Sequence, residues 1–544
     1  MSLSACNPIC FILWLPQNNP SLLQYPTPRS KQMSHDLLPC VLLLHRMASE
    51  ESAQCLLLAL LDPCLVAILQ CCAADDQRSL FSAARAHSRL RQAAAVVLRS
   101  LTMVITDHQQ ADSMLLYLAN HGMHVDNMSL RAVGKSFFAV PLRQLPPTLQ
   151  LTSLELCNIY LQLQPGWGFQ GVLGYAGVSA LKRLQLEDCT VLDGGGAEGL
   201  AAALSWLPAG LEHFSIRGQL YNSSAVCLPT GVLEQLQQLT SLELSGKWML
   251  LQGPDKAGLA LQPPGDLTRL VDLRLEGVRG MAGGLRVIAS MLSGACHLTR
   301  LDVSSANFEV DTLAGRTHLQ HLHLPLCKAC GGPAGEAQLL SYLQHLQQLT
   351  HLDLKNVLQS SEASNPPAAA YAALTASSKL RHLNITGCTL PNGVWQHMFS
   401  AAKQLPHLRC LNVSGVRQGH GSSSIGPAPE GSRLVSCCPT LESLGVEELN
   451  HGTGLLNALQ GLSGLHTLSV GDGAHTATSW QLLCQLTGLR SLSVTFLHHD
   501  CLDPFIDPKG PLLQLTQLQH LTSLYYSCCF HKIRLTSEVS WAST

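Results

Sequence analysis

The chain has 544 residues, 46% of them hydrophobic and 13% charged, a balance that supports a large core and excludes global disorder. Lys and Arg number 34 against 36 Asp and Glu, for a net charge of −2; no basic stripe appears, so nucleic acid is not an expected partner. The 21 cysteines follow no regular frame, and adjacent pairs such as Cys71-Cys72, Cys437-Cys438 and Cys528-Cys529 suit ordinary disulfides poorly, so a reducing compartment is expected.

The N-terminus, MSLSACNPICFILWLPQNNP, has no basic residue before its short apolar run and does not read as a secretory signal. Met47 opens MASEESAQCLL, a second candidate start, and residues 1–46 therefore read as disordered or untranslated. Residues 55–74, CLLLALLDPCLVAILQCCAA, have the length of a membrane span, but Asp62-Pro63 stands near the middle. One central Asp costs about 3 kcal/mol, against about −0.5 for each Leu or Ile. DDQRSLFSAARAHSRLRQAA continues as amphipathic helix, so a helical globular segment over 55–98 is expected rather than a span.

From there a single template governs the chain. LTSLELCNIYL (151–161), LKRLQLEDCTV (181–191), LTRLDVSSANF (298–308), LQHLHLPLCKA (319–329), LTHLDLKNVLQ (349–359), LRHLNITGCTL (380–390) and LRCLNVSGVRQ (408–418) all follow it. The shared form is L-x-x-L-x-L-x-x-(C/N/small)-x-L. Weaker copies start at Leu211, Leu239, Leu270, Leu441, Leu465, Leu489 and Leu521, and a degenerate first copy starts at Val125. In L-x-L the side chains alternate, as a strand requires, which turns Leu383 and Ile385 inward and Asn384 outward. The strand then bends, and Cys189, Cys327 and Cys388 fall at the bend, where a small residue can hydrogen-bond neighbouring backbone. One repeat cannot bury its apolar face alone, so stacked copies share a core. Alanine-rich segments between the strands, such as AAAYAALTASSK (368–379) and GVWQHMFSAAKQLPH (393–407), predict helices on the opposite side.

This pattern resembles leucine-rich-repeat proteins of the cysteine-containing and ribonuclease-inhibitor-like subtypes. The resemblance implies an α/β fold over residues 125–526: a right-handed solenoid, or horseshoe, with a parallel concave sheet and convex helices. Gly-, Ser- and Pro-rich stretches at 246–266, 359–370 and 417–432 read as mobile loops, and residues 527–544 as an irregular tail.

Ahead of the repeats, residues 60–94 place Pro63 after leucines, then Leu65, Ile68 and Leu69, an acidic Asp75-Asp76, Leu80 and finally ARAHSRLRQAA. This segment resembles an F-box, the helical module that docks onto the Skp adaptor of cullin–RING ubiquitin ligases, although Leu90 stands where that family has tryptophan. The resemblance implies adaptor contacts from Pro63, Leu65, Ile68, Leu69 and Leu80, a helix-in-groove mode. A second reading stands beside it: the helices only cap the first repeat's apolar end, which every solenoid needs.

Four sequons, at Asn127, Asn222, Asn384 and Asn412, are chance matches without a secretory route. CKAC at 327–330 lacks the second cysteine pair a zinc site needs. No phosphate loop, G-x-S-x-G or H-E-x-x-H occurs, so no enzyme, metal or cofactor is expected. His321, His351 and His382 share one template position in three consecutive repeats, and His323 lies close by. Strands about 4.8 Å apart would bring them into one column on the concave face. The candidate partner-binding residues there are Lys182, Arg183, Arg274, Asp302, His321, His323, His351, Asp353, Arg381, His382 and Asn384, whose mixed charges suit a protein partner. The expected function is non-enzymatic: an F-box-like substrate receptor of a ubiquitin ligase, or alternatively a cytoskeletal or ciliary scaffold. The expected location is intracellular, in the cytoplasm, with nucleus or cilium axoneme as alternatives.

Overall fold

A computed structural model describes Val66, Leu69, Gln92–Ala94 and, with gaps, residues 99–536; the longest gaps are 162–178, 192–203, 252–266, 278–291 and 496–516. Residues 1–46 and Pro63, Leu65, Ile68 and Leu80 lie outside the described residues, as do most of the three expected loops. Leu69 is helical and buried. No described helix is long and apolar enough to cross a membrane. The chain divides into two compact units, Met1–Val226 and Cys227–Thr544.

In the first unit, β1 (Ser100–Ile105) is followed by helix α1 (His108–His121), β2 (Asn127–Ala132), β3 (Ser153–Cys157), β4 (Arg183–Glu187) and β5 (His213–Arg217). The five strands pair in parallel, in chain order. Register places Leu101, Met128, Leu154, Leu184 and Phe214 in one column, and all five are buried. The repeats therefore begin before Val125: LRSLTMVITD (98–107) is itself a template copy, with β1 as its strand. Entry into α1 is set by Asp107, whose Oδ1 accepts the Gln110 backbone N–H at 2.8 Å while Gln110 Oε1 accepts that of Thr106 at 3.0 Å, a reciprocal cap that satisfies two donors at the helix start.

The second unit repeats the scheme at greater length. Its strands are β6 (Ser241–Ser245), β7 (Asp272–Glu276), β8 (Arg300–Ser304), β9 (His321–His323), β10 (His351–Asp353) and β11 (His382–Asn384). They continue with β12 (Cys410–Asn412), β13 (Ser443–Val446), β14 (Thr467–Val470), β15 (Ser491–Thr495) and β16 (Ser523–Ser527). Each pairs in parallel with the next. One leucine per strand, from Leu242 through Leu273, Leu301, Leu322, Leu352, Leu383, Leu411, Leu444, Leu468 and Leu492 to Leu524, forms a single buried column. Burial of each leucine side chain contributes about 1.5–3 kcal/mol.

Residues 532–536, expected to be irregular, instead form β17 (Lys532–Thr536), which pairs antiparallel with β16. A strand returning in this direction occupies hydrogen-bonding groups that β16 would otherwise leave open.

Behind the sheet run helices α2 (Pro333–His345), α3 (Val394–Met398), α4 (Gly431–Cys437), α5 (Thr453–Leu459) and α6 (Ala477–Cys484). The helix predicted at 368–379 is a 3-10 helix over Ala368–Thr375, with Tyr371 and Leu374 buried, and the segment at 393–407 is α-helical only over α3. A 3-10 helix rises about 2.0 Å per residue against about 1.5 Å for an α-helix, so it spans the back of a repeat with fewer residues.

The bend after each strand has its own regularity. Asn158, Asp188, Leu326, Asn356 and Gly387 all adopt φ between 49° and 69°, one position before a residue that turns back into the core. There Cys189, Cys327 and Cys388 are buried, and each Sγ–H donates to a carbonyl of the preceding repeat: Leu156 at 3.2 Å, Val303 at 2.9 Å and Leu354 at 3.0 Å. Asn, Asp and Gly tolerate the left-handed conformation. Leu326 does not, and its side chain is exposed.

Candidate functional site: a histidine stack on the sheet face

Because side chains alternate, the residues between the buried leucines form the solvent-facing side of the sheet. In the second unit, register aligns Asp272, Arg300, His321, His351, His382, Cys410, Ser443 and Thr467 in one column. A second column carries Arg274, Asp302, His323, Asp353, Asn384, Asn412, Gly445 and Ser469. Between them lies a depression of about 430 Å³, whose lining includes Arg300, the four histidines, Asp353, Asn384, Cys410 and Ser443.

The three histidines of the first column stack face to face. His321 and His351 have ring centroids 4.2 Å apart and planes 20° from parallel; for His351 and His382 the values are 4.2 Å and 16°. Thr350 Oγ lies 2.8 Å from His351 Nδ1. Burial disfavours the charged form of all three rings, and like charges add to it. His351, in the middle, is pushed down to about 4 by burial and then by His382, His321, Arg300 and Arg381. His321 is lowered by burial and Arg300, and His382 by burial and Arg381. At neutral pH the stack is an uncharged aromatic surface. Lone pairs of parallel rings lie in the ring planes and do not converge, and among the described residues no group of His, Cys, Asp or Glu is arranged to hold a metal ion.

His323 has the opposite environment. Its Nδ1 stands 3.0 Å from Asp302 Oδ2 and its Nε2 3.3 Å from Asp353 Oδ2. Those two hydrogen bonds outweigh burial and raise it to about 9, so it is a cation clamped between two carboxylates. Burial alone would raise Asp353, but hydrogen bonds from His323, the Lys355 backbone N–H and Asn384 bring it below the usual carboxylate range. Asn384 Nδ2 donates to Asp353 Oδ2 at 2.9 Å, and Asn384 Oδ1 accepts from Thr386 Oγ at 2.6 Å. The sequon asparagine is thus part of this network.

Of the expected site residues, Asp302, His321, His323, His351, Asp353, His382 and Asn384 come together here. Arg381 is exposed beside them, immediately before His382. Arg274 forms two hydrogen bonds with Asp272, at 3.1 and 2.8 Å. Lys182 and Arg183 lie in the first unit, where Lys182 pairs with Glu212 at 2.9 Å and Arg183 opens β4. Arg300 and Cys410 are not among the expected site residues, although each precedes its repeat's second leucine as His321 precedes Leu322. Cys327 of the CKAC motif is a buried bend residue.

The repeated strand, bend and helical return define the class of protein: the chain is an α/β leucine-rich-repeat solenoid. No family model and no curated protein matches it. Among solved structures it is similar to a leucine-rich-repeat protein of Leptospira interrogans, at 14% identity over 80% of this chain and 91% of that one, with a TM-score of 0.39. It is also similar to TLR13 in a complex with ssRNA13, at 14% identity over 75% of this chain and 56% of that one, TM-score 0.39. A third likeness is to the functional domain of InlJ from Listeria monocytogenes, which includes a cysteine ladder, at 13% identity over 80% and 74% of the two chains, TM-score 0.36.

Proposed function

We propose that the chain is a non-enzymatic protein-binding solenoid whose second unit engages its partner through the histidine face. The observation that carries this is the depression lined by three stacked neutral histidines, His323 and Asp353, with Asp302 completing the clamp on His323. These charged groups are already saturated by one another. Such an arrangement supplies a rigid aromatic and hydrogen-bonding surface rather than a nucleophile with its base. The buried thiols support the same reading, since burial raises Cys189 and Cys438 to about 12 and Cys388 to about 11, far from the thiolate that catalysis needs.

The finer reading is a substrate receptor of a cullin–RING ubiquitin ligase, with the F-box-like segment docking the Skp adaptor and the solenoid selecting the target. It is supported by the order of the two modules and by Pro63, Leu65, Ile68, Leu69 and Leu80. Co-purification of the full chain with tagged Skp adaptor tests it: enrichment lost in a Pro63→Ala/Leu65→Ala/Ile68→Ala variant is the expected result, and equal recovery of both chains would sink it. In the scaffold reading, cytoskeletal or ciliary, the same segment is only a cap, and deletion of 55–94 causes aggregation instead of loss of one partner.

A further inference from the structure

The stack stops abruptly. His321, His351 and His382 follow one another at 4.2 Å, but the next residue in register is Cys410, followed by Ser443 and Thr467. In the neighbouring column Asn412 is followed by Gly445 and Ser469. Bulky rings give way to small side chains within one strand spacing, and the depression extends over this floor. The face of His382 away from His351 therefore borders a notch above Cys410. Ring spacing and strand spacing nearly coincide, so a planar group seated over Cys410 would continue the stack in phase.

Charge selects the kind of ring. Arg381 and Arg409 occupy equivalent positions just before His382 and Cys410. Arg409 is engaged by Glu442 at 3.3 Å, whereas Arg381 is exposed and its guanidinium makes no hydrogen bond or ion pair among the described residues. Asp353 is occupied by His323 and Asn384. One exposed cation without a charge partner, beside an uncharged ring face, matches one carboxylate beside one aromatic ring. It does not match the run of phosphates in a polynucleotide, which needs many cations.

We propose that the notch between His382 and Cys410 receives an aromatic side chain of a partner protein, stacked on the His382 imidazole, with a neighbouring acidic residue of the same partner segment held by Arg381. The inference rests on the protein-binding reading above and supplies its recognition element. Aromatic side chains combine a large contact area with few rotatable bonds and prefer offset-stacked contacts, which suits a shallow, preformed seat.

The test is selection of a random dodecapeptide phage library on the full-length chain, on Cys410→Ser and on Cys410→Phe. Serine leaves the notch open; phenylalanine fills it with a ring belonging to the chain itself. The expected result is a consensus of one aromatic residue within two positions of Asp or Glu on the wild type and Cys410→Ser, with recovery at least tenfold lower on Cys410→Phe. The synthetic consensus peptide should shift the His382 ring-proton resonances upfield, and should bind His382→Ala about fivefold more weakly, the size expected of one stacked pair. His382→Ala and the upfield shift keep the test decisive should Cys410→Phe fold poorly. Peptides that bind the sheet face without an aromatic residue would overturn this inference alone. Failure to select any peptide would overturn the binding-surface reading with it. Displacement of the peptide by adenosine monophosphate at lower concentration than by free N-acetyltryptophan amide would reassign the notch to a nucleobase.

Discussion

His323 and His351 stand on neighbouring strands of one sheet face and are held in opposite protonation states. His323 bridges Asp302 and Asp353 and is raised to about 9; His351 lies between two other imidazoles and is lowered to about 4. The residue type is the same, and the difference comes from which template column each occupies. The column of His323 places Asp302 and Asp353 on either side of it, whereas the column of His351 places His321 and His382 beside it and Arg300 one strand further on.

This relationship predicts a two-sided pH response. His323 is raised above its unfolded value near 6.5, so its contribution is fully present below that pH and is lost as pH rises through about 9. His351 is depressed, so its contribution is present above about 6.5 and is lost as pH falls through about 4. Each side chain is partly solvent-exposed, and screening limits each effect to about 1 kcal/mol. Imidazole nitrogen shifts followed by NMR should show His323 still protonated at pH 8 and His351 still neutral at pH 5.5. Titration of both near 6.5 would contradict the assignment.

Backbone conformation at the bends makes a second prediction. Leu326 holds φ of 59° with an exposed side chain, so Leu326→Gly or Leu326→Asn should stabilise the second unit by about 1 kcal/mol. Gly387, at φ of 69°, occupies the equivalent place, and a Cβ there would overlap Oδ1 of Asn356. Gly387→Ala should therefore cost about 2 kcal/mol or more. Thermal melts of the two variants should move in opposite directions.

Thiol reactivity gives a third. Cys296 is exposed, while Cys189, Cys388 and Cys438 are buried and strongly raised. Iodoacetamide at pH 8 should modify Cys296 in the native protein and reach the other three only in denaturant. Cys388→Ala should lower stability by about 1–2 kcal/mol through loss of the bond to Leu354 and of packed volume.

The inward-facing half of the solenoid was legible in the sequence because one periodicity dictates it. Leu383 and Ile385 are buried as the alternation required, and Cys388 as the bend after the strand required, and the histidines share a column because strand register follows the leucines. Other features depended on contacts between repeats. That His321, His351 and His382 stack while His323 pairs with acids is decided by the neighbouring strands' side chains, which no single repeat displays. The first strand is harder to read because Met103 stands where the L-x-L signature has its second leucine. The antiparallel β17 was missed because a returning strand does not follow the template. The 3-10 return at Ala368–Thr375 read as α-helix because alanine favours helix without specifying its pitch.

The central claim is that the histidine face of the second unit is where partners bind, and proximity labelling in cells tests it most directly. Three full-length chains would be compared: wild type, His321→Ser/His351→Ser/His382→Ser, and Gln344→Glu on the exposed side of α2 as a control. With matched thermal melts, the account predicts that the triple variant loses a defined set of neighbours that the wild type and the control both retain. An identical neighbour set for all three chains would contradict it.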